Sequence, residues 1–210
     1  MGTLSYSETE KLLSKHYIKR PIGKLVKSKE EAISFAKKAG FPLVMKVNSD
    51  KITHKTDVNG VRLGIKKMNE LEDAYEDMSR KFNKEEINGF LLQKMHDGHS
   101  VLVGMKRDKQ FGPVIVFGFG GIYVELLKDV SYRIAPINVK EAEDMIHETK
   151  MYAALEGLRG GIKADIKNLA ELIVRVSSLS MKNKDIHEID LNPVIVNDKE
   201  AVAVDARIVR

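Results

Sequence analysis

Apolar residues recur along this chain with two periods, and the two periods divide it into elements. Leu12, Leu13 and Tyr17 follow Ser7-Glu8-Thr9-Glu10, whose Ser and Glu three apart form a capping box, so a helix is predicted there that Pro21 ends. Ile22 to Val26 can form a strand. Ala32, Phe35, Ala36 and Ala39 lie on one helical face between a second capping box, Ser28-Lys29-Glu30-Glu31, and a helix-stopping Gly40. Phe41 to Val47, bounded by Gly40-Pro42 and Asn48-Ser49-Asp50, has the length and β-branched content of a buried strand, and Val61 to Ile65 alternates like a second one. A third helix, capped at Asn69, carries Leu71, Ala74, Tyr75, Met78 and Phe82 on one face, and Lys81 to Asn88 is a polar connector.

The second half repeats the alternation with more strands. Phe90 to Met95 reads as a strand broken by His96-Asp97-Gly98, and Val101 to Met105, Pro113 to Phe117 and Val130 to Ile134 are rich in β-formers. Asn138-Val139-Lys140-Glu141 opens a helix with Ala142, Met145 and Ile146 inward; Met151 to Leu155 gives a short one, Leu158 to Gly161 a loop, and Asp165 to Leu179 a long amphipathic helix. Ile186 to Asp190, Val194 to Val196 and Ala201 to Val204 predict short strands separated by turns. The pattern is that of an α/β protein in two parts, residues 1–92 and 93–210.

Composition narrows the classes. With 43% apolar residues in 210, the chain can bury a substantial core. No apolar run approaches the roughly 20 residues that span a bilayer, and the first residues lack a basic-then-apolar signal pattern, so a cytoplasmic protein with no membrane partner is expected. Zero Cys excludes disulfides and thiolate metal sites. The net charge of +5 suits an anionic partner, but 35 basic residues are interleaved with 30 acidic ones and aromatic residues are few, which argues against nucleic acid and for a phosphate-rich small molecule.

Three stretches could carry chemistry. Lys46 stands inside the buried run Phe41 to Val47, where an ammonium needs an anion or must snorkel to the sheet edge; His54 follows in a polar loop closed by Asn59-Gly60. Gly118-Phe119-Gly120-Gly121 could present backbone N–H groups to phosphate, or serve only as a tight turn; it is neither a P-loop nor a dinucleotide fingerprint. Glu125, Lys128, Asp129 and Arg133 after it could line a polar cleft or decorate an exposed face. In Glu188-Ile189-Asp190-Leu191-Asn192-Pro193 and Ala203-Val204-Asp205, Asn192 and Asp205 at two strand ends would offer an amide oxygen and a carboxylate of the kind magnesium favours, or a turn and a strand-end acid.

Lys46 in VMKV, His54 in SDKITHKTDVNGV, Gln93-Lys94-Met95, DKQFGPVIVFGFGGIYVELLKDVSYRIAP, Leu155-Glu156-Gly157-Leu158-Arg159-Gly160 and EIDLNPVIV followed by VAVDARI occur in an order that resembles the beta subunit of ADP-forming acetyl-CoA synthetases, also called NDP-forming acyl-CoA synthetases, over nearly the whole chain. The resemblance implies an ATP-grasp fold, two α+β lobes with a nucleotide cleft between them. It also implies ATP/ADP and Mg2+ as cofactors, and as partner a CoA-binding alpha subunit with its own phosphohistidine, in a heterotetramer. It assigns Lys46 to the nucleotide phosphates, Gln93, Lys94 and Met95 to adenine through their backbone, Gly120, Gly121 and Glu125 to the nucleotide, and Asn192 and Asp205 to magnesium. His54 matches the family's second histidine, which takes the phosphoryl group from the partner and hands it to ADP. Ser100 stands where the family usually has an acid, and Asn59-Gly60 where Gly-Gly is common. A succinyl-CoA-synthetase-like or other ATP-grasp carboxylate ligase, in which His54 would be dispensable, and a non-catalytic nucleotide-binding subunit are the rival readings.

Overall fold

The computed structural model describes residues 2–49, 51–52, 55–83, 85–120 and 129–210, apart from the Arg159 side chain. They fall into two compact units, Pro21–Met95 and a larger one that joins residues 2–20 to His96–Arg210.

In the smaller unit, β1 (Gly23–Val26), β2 (Leu43–Asn48), β3 (Val61–Ile65) and β4 (Gly89–Lys94) form an antiparallel sheet in the order β1-β4-β2-β3. Two helices, α2 (Lys29–Ala39) and α3 (Met68–Lys81), pack on one face. Period-two alternation decides what meets them: Leu43, Met45 and Val47 of β2 and Phe90 and Leu92 of β4 join Ala32 and Ala36 of α2 and Leu71, Ala74 and Met78 of α3 in one core. Ser28 caps α2 by accepting from the Glu31 N–H, but the Glu31 carboxylate turns to the Lys27 N–H, so the expected box is half formed. Helix α3 begins at Met68, with Lys67 at the cap and no side-chain cap bond; Asn69 lies inside it.

The larger unit is built on β5 (His99–Asp108), β6 (Gly112–Phe119), β7 (Val130–Ile134), β8 (Glu188–Val196), β9 (Ala201–Ala203) and β10 (Arg207–Val209). Strand order is β10-β8-β5-β6-β7, with β9 also paired to β8, and all pairings are antiparallel. The helices α4 (Val139–His147) and α6 (Ile166–Lys182), with the short α5 (Tyr152–Leu155), share its core: Ile146, Leu155, Leu169, Ile173 and Val176 pack against Val103, Ile115, Phe117, Ile189 and Leu191. The capping box at Asn138 and Glu141 forms as expected.

Two expectations about the first half are corrected by this packing. Helix α1 (Tyr6–Lys15) was assigned with residues 1–92, yet its Leu13 and the following Ile18 lie in the core of the larger unit. The reason is a backbone tie: Gly2 and Arg210 exchange hydrogen bonds of 2.8 and 2.9 Å, and the Leu4 N–H donates to the Ile208 carbonyl. The cap of α1 is Ser5 with Glu8, a reciprocal box two residues earlier than Ser7 with Glu10. At the other boundary, the stretch expected to leave the smaller unit at residue 92 is ladder-bonded between β1 and β2 as far as Met95, whose N–H donates to the Pro42 carbonyl.

Candidate functional site

Because α2 and α3 take one face of the smaller sheet, alternate residues of β2 and β4 are left for the other. Lys46 is one of them, only 6% exposed, opposite Leu91 on β4 and Val61 on β3. Val44 and Gln93 are the next facing pair on the same side, and Gln93 is 1% exposed. A buried ammonium and a buried amide therefore share one face, in diagonal register. Lys94 alternates to the opposite side, where its Nζ donates to the Phe41 carbonyl. The N–H groups of Lys94 and Met95 are used by the carbonyls of Ile22 and Pro42. Of the three residues assigned to adenine through the backbone, these two thus have their donors committed within the sheet.

The loop after β2 returns to the sheet through a built turn. The Gly60 N–H donates to the Lys55 carbonyl at 2.6 Å, the Val47 N–H takes the Gly60 carbonyl, and Asn59 adopts φ +48°, the left-handed conformation that Asn tolerates. A Cβ on Gly60 would stand 2.5 Å from Val47 Cγ1 and 2.9 Å from the Lys55 carbonyl oxygen, so only glycine fits. His54 lies outside the described residues, as do Gly121 and Glu125.

The glycine-rich stretch of the larger unit is used differently from the expectation. Gly118 belongs to β6, paired with Leu102 and Val130. Gly120 is buried, its N–H donates to the Ser100 carbonyl, and a Cβ there would meet Ser100 Oγ and the Val101 backbone at about 2.7 Å. Its missing side chain serves close strand packing, and its amide is already engaged; Gly120 is corrected from a phosphate donor to a packing position.

The expected turn at Asn192-Pro193 is a β-bulge inside one continuous strand. Val101 pairs with Val194 and Val103 with Leu191, so the two residues Asn192 and Pro193 oppose the single residue Leu102. A bulge turns a side chain out of regular alternation. It also presents the Pro193 carbonyl to the loop after β9, where the N–H groups of Val204 and Asp205 donate to it at 3.0 and 3.4 Å. Asp205 is thereby held beside Asn192, with its Oδ1 accepting from the Ala206 N–H at 3.0 Å. The backbones of the two candidate magnesium ligands are neighbours, through a bulge instead of two strand ends.

One neighbour was missed by the sequence reading. Asp190, two residues before Asn192 on the same strand, is half-buried opposite Gly104 and Arg207. Burial pushes its carboxyl above the usual carboxylate range, Glu188 and Asp205 push it further, and Arg207 opposes them. The available signal was period two: Glu188, Asp190 and Asn192 alternate with the core residues Ile189 and Leu191. The donor set fits a hard cation such as magnesium, since an amide oxygen and carboxylates leave most positions to water and phosphate. Among the described residues, no three His, Asp or Glu side chains cluster as a closed metal cage. Likewise, none of their helices is long and apolar enough to cross a membrane.

Comparison with known proteins shows the family. Residues 1–209 match the ATP-grasp domain family. The beta subunit of acetate–CoA ligase [ADP-forming] I from Pyrococcus furiosus is 41% identical over 207 residues, covering 96% of this chain and 89% of that subunit. Acetate–CoA ligase [ADP-forming] I from Archaeoglobus fulgidus is 47% identical over 190 residues, 88% of this chain, but the match spans only 28% of that longer protein. Among solved structures, acetyl-coenzyme A synthetase 1 of Ca. Korarchaeum cryptofilum in complex with coenzyme A and Ca-AMPCP superposes with a TM-score of 0.93 at 38% identity, covering 99% of this chain and 93% of that one. A second structure of that synthetase, with coenzyme A and Mg-AMPPCP and a phosphohistidine segment pointing towards the nucleotide binding site, gives 0.86 at 36% identity over 99% and 92%. The chain belongs to the ATP-grasp family and, within it, to the beta subunits of ADP-forming acetate–CoA ligases.

Proposed function

We propose that this chain is the nucleotide-binding subunit of an ADP-forming acyl-CoA synthetase, acting in the cytoplasm with a CoA-binding alpha subunit in a heterotetramer. The net reaction is acyl-CoA + ADP + phosphate to acid + CoA + ATP, reversibly. The observation that carries the reading is the β8 bulge, whose Pro193 carbonyl accepts from the Val204 and Asp205 N–H groups and so anchors the Asp205 backbone next to Asn192, in a chain that also buries Lys46 on the sheet face turned from α2 and α3.

In this reading Lys46 neutralises phosphate charge, and Asn192 with Asp205 holds magnesium, which when bound screens the nucleotide phosphates. Met95 contributes through its carbonyl, because Pro42 has no N–H to return the bond it accepts. His54 is the relay. A neutral ring nitrogen bonds to phosphorus as the N–P bond of the partner's phosphohistidine breaks. An oxygen of the ADP β-phosphate then bonds to that phosphorus, and the His54 N–P bond breaks to restore neutral imidazole. The phosphohistidine segment that points towards the nucleotide binding site in the Korarchaeum synthetase supports such a route.

The test is His54→Ala assayed with the alpha subunit. Phosphotransfer to ADP should vanish while ADP binding stays within about twofold. Acid-labile phosphate should label the unaltered chain on a histidine and be missing from the variant. Full turnover by the variant removes the relay.

A further inference from the structure

The Gln93 side chain is the feature that this reading leaves unexplained. It is 1% exposed, and neither its Nε2 nor its Oε1 has a hydrogen-bond partner among the described residues. An amide carries two donors and an acceptor, and leaving them unmade in a buried place destabilises a fold, so such a group calls for a ligand or a reason. Its surroundings on the sheet face are apolar and spare: Val44 opposite on β2, Gly23 without a side chain opposite on β1, and Leu91 two residues earlier. The cation of that face, Lys46, stands opposite Leu91, one diagonal step away. Polarity thus changes along the face, from a charged end fit for phosphate to an apolar end with one amide.

We infer that the Gln93 side-chain amide reads the base of the nucleotide and selects adenine over guanine. The inference rests on the proposed nucleotide-binding function and deepens it, moving base recognition from the backbone of this stretch to a side chain. Apolar walls with a single placed polar group suit a flat heteroaromatic ring. Adenine offers the N6 amino donor beside the N7 acceptor, which an amide satisfies with two bonds, whereas guanine offers two acceptors on that edge and can engage only the amide's donor side. The committed N–H groups of Lys94 and Met95 leave the amide as the donor that this stretch can still supply on that face.

The experiment compares the full chain with Gln93→Met and Gln93→Leu, which keep the volume and remove all hydrogen bonding. Mg-ADP and Mg-GDP are titrated calorimetrically, and Tm is measured without nucleotide. Removing an orphaned polar group should leave Tm unchanged or raise it, while ADP affinity falls about 10- to 100-fold and the ADP-over-GDP preference shrinks to about threefold or less. Unchanged ADP affinity with an unchanged ADP/GDP ratio overturns the inference alone. A clear fall in Tm for both variants marks the amide as a structural anchor and overturns it too. Failure of the unaltered chain to bind either nucleotide overturns the functional reading itself, and the inference with it.

Discussion

In the smaller unit, the sheet face turned from α2 and α3 carries an ammonium and an amide, Lys46 and Gln93. In the larger unit, the strand residues turned from the helical core include the acids and amide Glu188, Asp190 and Asn192, with Asp205 held alongside. Both sheets seal one face with leucine, valine, isoleucine and methionine. What differs is the chemistry left on the other face: a lysine and an amide in one unit, and in the other a run of acids and an amide with Lys106 and Arg207 paired among the acids. In the proposed reading the first set serves phosphate and the second magnesium.

Deleting the helix-facing Leu92, which is fully buried, should have the largest effect on stability. Leu92→Ala is expected to lower unfolding free energy by about 2–5 kcal/mol in denaturant titration, and a cost below 1 kcal/mol would show that the two faces of β4 are not distinct. Lys46→Met keeps the buried stem and removes the charge. ADP affinity should drop about 10- to 100-fold by calorimetry, and full affinity in this variant would take the phosphate role from the smaller sheet. Asp205→Asn should weaken magnesium binding at least about tenfold while leaving metal-free ADP binding unchanged. Equal losses with and without magnesium would erase the division of labour between the sheets.

Smaller effects separate the structural assignments. Ser5→Ala should cost about 1 kcal/mol of stability and Ser7→Ala almost nothing; the reverse order would restore the later cap for α1. Glu148 gives the pH test. Hydrogen bonds from Arg133, at 3.0 Å from Nη1, and from Ser131, at 2.8 Å, hold its carboxyl below the usual glutamate range. A lowered native pKa means that the unfolded chain binds the proton first, so this contribution is present above the ordinary value of 4.5 and fades as pH falls through the native one. Glu148→Gln should flatten stability against pH below the ordinary value of 4.5 by only a few tenths of a kcal/mol, because the pair is largely solvent-exposed. An unaltered acid slope would exclude the pair as its source.

Period and punctuation were enough to place most elements. Val61–Ile65 and Val130–Ile134 emerge with the expected bounds, and the Asn138–Glu141 box starts its helix as read, because alternation and capping are patterns written over a few neighbouring residues. Lys46 and the Asn192–Asp205 pair were legible as exceptions, polar residues in apolar strands. Asp190 had the same signal but sat between more conspicuous neighbours. Gly120 misled because a glycine needed for strand packing looks, in one dimension, like a glycine needed for an anion.

The chain's own order of residues thus determined the strand and helix periods, the family, and the identity of the lysine, amide and acids that any site must use. Tertiary structure alone decided the partners. It sent α1 to the far end of the chain through the exchange between Gly2 and Arg210, and it turned an expected strand break into a bulge whose Pro193 carbonyl anchors the Asp205 backbone. It also left the Gln93 amide buried without a mate among the described residues. Local propensity is written in neighbours, whereas hydrogen-bond satisfaction is settled between residues distant in sequence, and no periodicity records which donors a folded sheet has already used.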